Sequence, residues 1–166
     1  MKDKNIIKLV IFDLDGVLVE AKNIHYDALN KALGKEYSIS WGEHLSTYDG
    51  LKTDQKLEIL SKEKGLPIEL MDSLVERGYK IAVCSNSIRK TVLTVLSKLG
   101  IMEYMDLIIS NEDVKNPKPH PEMYWKAISM MSCLPEETLI IEDSPYGLLA
   151  AARSKSHLLR VKNTKE

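Results

Sequence analysis

An α/β fold built on a parallel sheet with helices on both faces is what this sequence predicts, and three observations predict it. Short, continuous apolar runs recur along the chain with helical patterns between them. Polar residues able to do chemistry follow those runs, where open parallel sheets bind their ligands. A length of 166 residues with 44% hydrophobic side chains suits one sizeable core, or a core plus a small appendage.

Taken in order, Leu9-Val10-Ile11-Phe12 is apolar throughout, as expected of a strand buried on both faces. The alternation then breaks. Residues 23–34 read as a helix stopped by Gly34, and residues 53–64 as another stopped by Gly65, with a polar stretch carrying Trp41 and Tyr48 between them. No strand-like run occurs over 20–66, so this interval reads as a helical insertion after the first strand. Residues 68–77 form an amphipathic helix that Gly78 stops, and Ile81-Ala82-Val83-Cys84 is the second strand. Ser87 can cap a helix over 88–99 that Gly100 ends. Leu107-Ile108-Ile109 is the third strand, and Pro121 opens a helix running to about Met131. Leu139-Ile140-Ile141 is the fourth, Ser144 and Pro145 start the last helix, and residues 158–161 make a weaker fifth strand. The last residues, 163–166, are expected to fray. The sum is a three-layer, Rossmann-like core over 1–19 and 67–166, with a small, truncated α-helical cap over 20–66.

A net charge of −1 offers no bulk attraction to nucleic acid or an anionic membrane, so neither is expected as a partner. A phosphorylated ligand would need a local positive site. Cys84 and Cys133 show no paired spacing, which argues for reduced thiols in an intracellular protein rather than a disulfide framework or a cysteine zinc site. The N-terminal apolar stretch 6–12 carries Lys8 and runs into Asp13, too short for a signal peptide or membrane helix; a cytoplasmic location is expected.

Four polar signals follow the strand runs. Asp13-x-Asp15-Gly16 places two carboxylates where they can meet one cation or one substrate, one attacking and the other handling a proton; a polar turn is the plainer reading. Ser85, with Asn86 and Ser87 behind it, can form an anion pocket with the N–H groups of the next helix, or Ser85 or Ser87 can merely cap that helix. In Asn116-Pro117-Lys118-Pro119-His120-Pro121 the prolines stiffen a loop and fix where Lys118 points, although most lysines are simply solvated. Glu142-Asp143 at a strand end suits a hard, oxygen-loving cation, or simply answers a helix dipole. Together, in order on successive strand ends, they make one constellation.

That constellation resembles the haloacid dehalogenase superfamily, in particular its helical-cap subgroup of phosphoglycolate-phosphatase-like and β-phosphoglucomutase-like proteins. The likeness runs from Leu9 to Val161 and is carried by Phe-Asp-Leu-Asp-Gly-Val-Leu at 12–18, Lys-Pro-x-Pro-x-x-Tyr at 118–124 and Glu-Asp-Ser-x-x-Gly at 142–147. It implies a phosphatase of small phosphorylated metabolites, with Asp13 as nucleophile forming an aspartyl-phosphate and Asp15 as general acid, then base. It implies that Ser85 and Asn86 bind the phosphoryl oxygens with Lys118, which bridges nucleophile and phosphate. It also implies Mg²⁺ held by Asp13, the Asp15 carbonyl and Asp143, with Glu142 nearby or acting through water. The second Asp separates this pattern from true dehalogenases.

The interval 20–66 is shorter than the roughly 60 residues that a four-helix cap needs. His25 matches a cap histidine of the subgroup, while the residue alone reads equally as a half-exposed helix histidine. Mutases of the subgroup carry a Thr near position 21 and an Arg near 53; Ala21 and Thr53 stand here, so a sugar-phosphate mutase is the second reading. A crippled, non-catalytic binding protein is the third. A shortened cap would leave apolar helix faces uncovered and favour a homodimer.

Overall fold

The computed structural model describes residues 6–19, 26–34 and 66–162. Among them are five strands, β1 (Leu9–Phe12), β2 (Lys80–Cys84), β3 (Leu107–Ile109), β4 (Thr138–Glu142) and β5 (His157–Arg160). The helices are α1 (Tyr26–Leu33), α2 (Leu66–Glu76), α3 (Arg89–Leu99), α4 (Glu122–Met130) and α5 (Pro145–Ser154). The strands form one sheet in the order β3-β2-β1-β4-β5, with every pairing parallel. No helix among the described residues is long and apolar enough to cross a membrane.

The apolar runs become strands because the sheet is covered on both faces, and alternate side chains serve alternate layers. Val10, Phe12, Ile81, Val83, Leu139 and Ile141 join one core with Leu70, Met71 and Leu74 of α2 and Val92 and Leu96 of α3. Leu9, Ile11, Ala82, Cys84, Ile109 and Ile140 join the other with Met123, Tyr124, Ala127 and Ile128 of α4 and Ala150 and Ala151 of α5. A fully buried Val, Leu or Ile contributes about 1.5–3 kcal/mol relative to exposure, so these two layers dominate over strand propensity. β5 gave the weakest signal because it is an edge strand, with Leu158 exposed.

The helix predicted from residue 23 is present over Tyr26–Leu33, ending at Gly34 with φ of 95°. Its Leu29 and Leu33 are buried in the first core, so this part of the predicted insertion packs with the sheet layer. Residues 20–25 and 35–65, and with them His25, Trp41, Tyr48 and the reading of a dimerising cap, lie outside the described residues.

The start of α3 corrects an expectation. Ser87 does not cap it; Ile88 occupies the N-cap position and offers no side-chain hydrogen bond. The first-turn N–H of Arg89 instead donates to Glu112 Oε2 at 2.6 Å, from the loop after β3. An acceptor remote in sequence has taken the capping role. Ser144 does cap α5, accepting from the Gly147 N–H at 3.1 Å.

The strand order also fixes where a ligand belongs. From β1 the chain moves outward through β2 and β3, then returns across the sheet to β4 and β5 on the other side. The switch point lies between β1 and β4, and the crevice beyond their carboxyl ends is the expected binding position.

Candidate active site

Register brings the polar residues together. Phe12 pairs with Val83 on one side and Ile141 on the other, so Asp13, Cys84 and Glu142 leave the sheet at one level. The ladder continues one step further, with the Asp13 N–H donating to the Ile141 carbonyl and the Ser85 N–H to the Ile109 carbonyl, both at 3.0 Å. After Asp13 the chain makes one wide turn over Leu14–Leu18, closed by the Val19 N–H on the Leu14 carbonyl. Gly16 sits within it at φ of 76°, a left-handed conformation that glycine adopts at little cost.

Lys118 is the centre of the site. Its ammonium donates to Asp13 Oδ1 at 2.7 Å, Glu142 Oε1 at 2.6 Å and the Cys84 carbonyl at 2.8 Å. Three donors meet three acceptors, and the side chain is only 3% exposed. It also lies 5.2 Å from the centre of the Tyr124 ring. Burial alone would lower its pKa, but the carboxylates of Asp13 and Glu142 outweigh burial and hold it above the usual lysine value.

Asp13 is pushed the other way for a carboxylate, up to about 7. Burial is the main cause; Lys118 opposes it, while Glu142 and Asp143 add to it. One ammonium cannot neutralise three neighbouring carboxylates. Asp13, Glu142 and Asp143 each offer an oxygen, and these lie within 4.8 Å of one another. An all-oxygen, multiply acidic donor set fits a hard divalent cation such as Mg²⁺.

Glu142 is the most heavily engaged of the three. Oε1 accepts from Lys118 and, at 2.7 Å, from the Tyr124 hydroxyl. Oε2 accepts from the N–H groups of Asp143 and Ser144 and from the Ser144 hydroxyl. Tyr124 itself is fully buried, and burial next to Glu142 keeps its phenol protonated, with a pKa raised well above the ordinary value.

Ser85 is buried beyond β2, and its Oγ accepts the Ser87 N–H at 3.1 Å. The Ser87 hydroxyl donates to Asp15 Oδ2 at 3.3 Å, and Asp15 itself is exposed. The Asn86 amide turns toward the Lys118 backbone, with Oδ1 accepting from its N–H and Nδ2 donating to its carbonyl. The fold therefore gathers Asp13, Asp15, Ser85, Asn86, Lys118, Glu142 and Asp143 at one end of the sheet.

Three supporting residues escaped the sequence reading. Tyr124 was visible only as part of a motif, with no assigned contact. Glu122 staples the proline loop, its carboxylate accepting from the N–H groups of Lys115 and Asn116 and from the Asn116 amide. The prolines therefore do not fix Lys118 alone. Cys84, whose carbonyl holds Lys118, carries a thiol that burial pushes up to about 12, which removes it as a nucleophile.

A family model described as haloacid dehalogenase-like hydrolase matches residues 66–161. Validoxylamine A 7'-phosphate phosphatase of Streptomyces hygroscopicus subsp. limoneus is 27% identical, over 89% of this chain and 82% of that protein. Pyrophosphatase PpaX of Bacillus mycoides is 24% identical, over 93% and 83% of the two chains. Phosphorylated carbohydrates phosphatase of Thermotoga maritima is 25% identical, over 87% and 80%. Among solved structures, a putative beta-phosphoglucomutase from Thermotoga maritima superposes with a TM-score of 0.63 at 22% identity, over 96% of this chain and 88% of that one. The last likeness concerns the fold alone.

Proposed function

The chain belongs to the haloacid dehalogenase-like hydrolases and is a phosphatase of that family, and from this premise we propose that it hydrolyses a small phosphorylated metabolite through an aspartyl-phosphate on Asp13. The observation that carries the proposal is the buried contact of Lys118 with Asp13 at the switch point of the sheet, beside Ser85.

In this reading the Asp13 carboxylate attacks phosphorus and the bond to the leaving oxygen breaks, with Asp15 supplying the proton that the departing alcohol needs. Asp15 is exposed, so a leaving group can reach it. Water then attacks the aspartyl-phosphate, Asp15 takes its proton, and inorganic phosphate and a free Asp13 result. Lys118 keeps the nucleophile oriented and opposes its protonation. Ser85, with the N–H groups beyond β2, receives the phosphoryl oxygens.

Asp13, Asp143 and the Asp15 backbone carbonyl would hold Mg²⁺, with Glu142 behind them. When bound, the cation supplies charge neutralisation between the carboxylates and the phosphoryl group. In-line transfer then depends mostly on positioning and electrostatics.

The test is phosphate release from an aryl phosphate with and without Mg²⁺, for the native chain and Asp13→Asn. Release that needs the cation and disappears in the variant is expected. Undiminished release from Asp13→Asn would overturn the assignment.

A further inference from the structure

Among the described residues, the side chain of Asn86 meets Lys118 through two complementary bonds. Its Oδ1 accepts the Lys118 N–H at 3.0 Å and its Nδ2 donates to the Lys118 carbonyl at 3.1 Å. A planar amide thus pairs with both backbone groups of a single residue, as a neighbouring strand would. Reversing the amide would set N–H against N–H and oxygen against oxygen, so the pairing also fixes its orientation. The two bonded backbone atoms flank the Cα from which the lysine side chain departs. At the far end of that side chain, Nζ is held by Asp13, Glu142 and the Cys84 carbonyl.

We infer that Asn86 is a positioning residue that sets the placement of Lys118, rather than primarily a ligand of the phosphoryl group. This rests on the phosphatase reading above. The amide bridges two loops that the chain keeps far apart, the turn after β2 and the loop after β3, and so links the Ser85-Asn86-Ser87 turn to the lysine. Its neighbours make other contacts: Ser85 is buried and accepts the Ser87 N–H, and the Ser87 hydroxyl donates to Asp15.

The chemistry explains why an amide is needed. Aspartate could accept from the Lys118 N–H but would set a carboxylate oxygen against the Lys118 carbonyl. Serine and alanine cannot span both groups. Asn86 is itself exposed, so its bonds compete with water and add little to global stability. What they restrict is the position of one Cα, and a shift of about 1 Å in a catalytic group can cost on the order of a hundredfold in rate.

A double-mutant cycle of Asn86→Ala and Lys118→Ala tests this, read on kcat and KM for an aryl phosphate with Mg²⁺. Asn86→Ala alone is expected to lower kcat by about 10- to 100-fold with a smaller change in KM. On the Lys118→Ala background it should cost nothing further, because the group it positions is gone. The same loss in both backgrounds, or no loss in the single variant, overturns the inference. Where Lys118→Ala leaves no turnover, the cycle is read on the affinity for inorganic phosphate by calorimetry, with the same two outcomes. Amide hydrogen exchange at Lys118 gives a readout independent of activity: Asn86→Ala should accelerate it, and unchanged exchange overturns the clamp. A native chain without phosphatase activity would fail the functional reading while leaving this exchange result to decide the clamp. Should Asn86→Ala not fold, Asn86→Asp carries the cycle, and it should preserve protection of the Lys118 N–H while losing rate.

Discussion

Gly147 lies against the carboxylate of Glu142 so closely that a Cβ at position 147 would fall 1.9 Å from Oε1. The glycine of the Glu-Asp-Ser-x-x-Gly motif is thus required by a close approach: α5 begins where the Glu142 side chain must pass. Gly147→Ala should displace that carboxylate from Lys118 and Tyr124. Breaking a buried ion pair costs about 3–5 kcal/mol, so a substantial fall in the midpoint of denaturant unfolding is expected, together with loss of phosphate release. An alanine variant with unchanged stability would mean that Glu142 can move aside freely.

Tyr124→Phe isolates a smaller part of the same network. The ring and its packing remain, but Glu142 Oε1 loses the hydroxyl that donates at 2.7 Å. Hydrogen bonds to charged groups contribute about 1.5–3 kcal/mol, so a loss at the lower end of that range is expected, since Lys118 still donates to the same oxygen. Equilibrium unfolding in urea, compared with the native chain, measures it.

Asp113 gives the pH dependence a definite sign. Its carboxylate accepts from the Ser110 N–H at 2.8 Å, the Ser110 hydroxyl at 2.7 Å and Arg89 at 3.0 Å. Burial works against the charge, but these partners prevail and hold the pKa below its ordinary 3.8. A depressed carboxylate contributes its full stability above the unfolded-state value and loses it as pH falls toward the folded-state value. Asp113→Asn should therefore lower the melting temperature at neutral pH and flatten its decline below about pH 4. Thermal melts across that range would reveal an equally steep decline if the carboxylate were not responsible.

Much of this architecture was legible because strand burial and sequence hydropathy agree: β1, β2, β3 and β4 lie where the apolar runs predicted them. The convergence of the candidate residues was also legible, since polar signals follow β1, β2 and β4 and a fourth lies in the loop beyond β3. Partnership was not. Nothing local says that Glu112 caps α3, that Glu122 staples the lysine loop, or that Asn86 pairs with a residue 32 positions away. Such bonds arise from tertiary approach, which pattern and propensity do not encode. The end of α5 was equally silent: Lys155 takes a left-handed φ of 68° with no glycine to announce it.

The division of labour between Glu142 and Asp143 yields the last prediction. An ionised carboxylate has about four lone-pair sites, and Glu142 already receives five donors from Lys118, Tyr124, Asp143 and Ser144. A cation taking Glu142 directly would have to strip protein donors from a fully buried group. Asp143 is partly exposed, and its carboxylate reaches the same cluster. Asp143→Asn should therefore weaken Mg²⁺ binding more than Glu142→Gln, with titration calorimetry as the measure. Glu142→Gln should instead register in thermal stability, because it leaves Lys118 buried with one counter-charge fewer. The reverse ranking in the calorimeter would put Glu142 on the metal and Asp143 outside it.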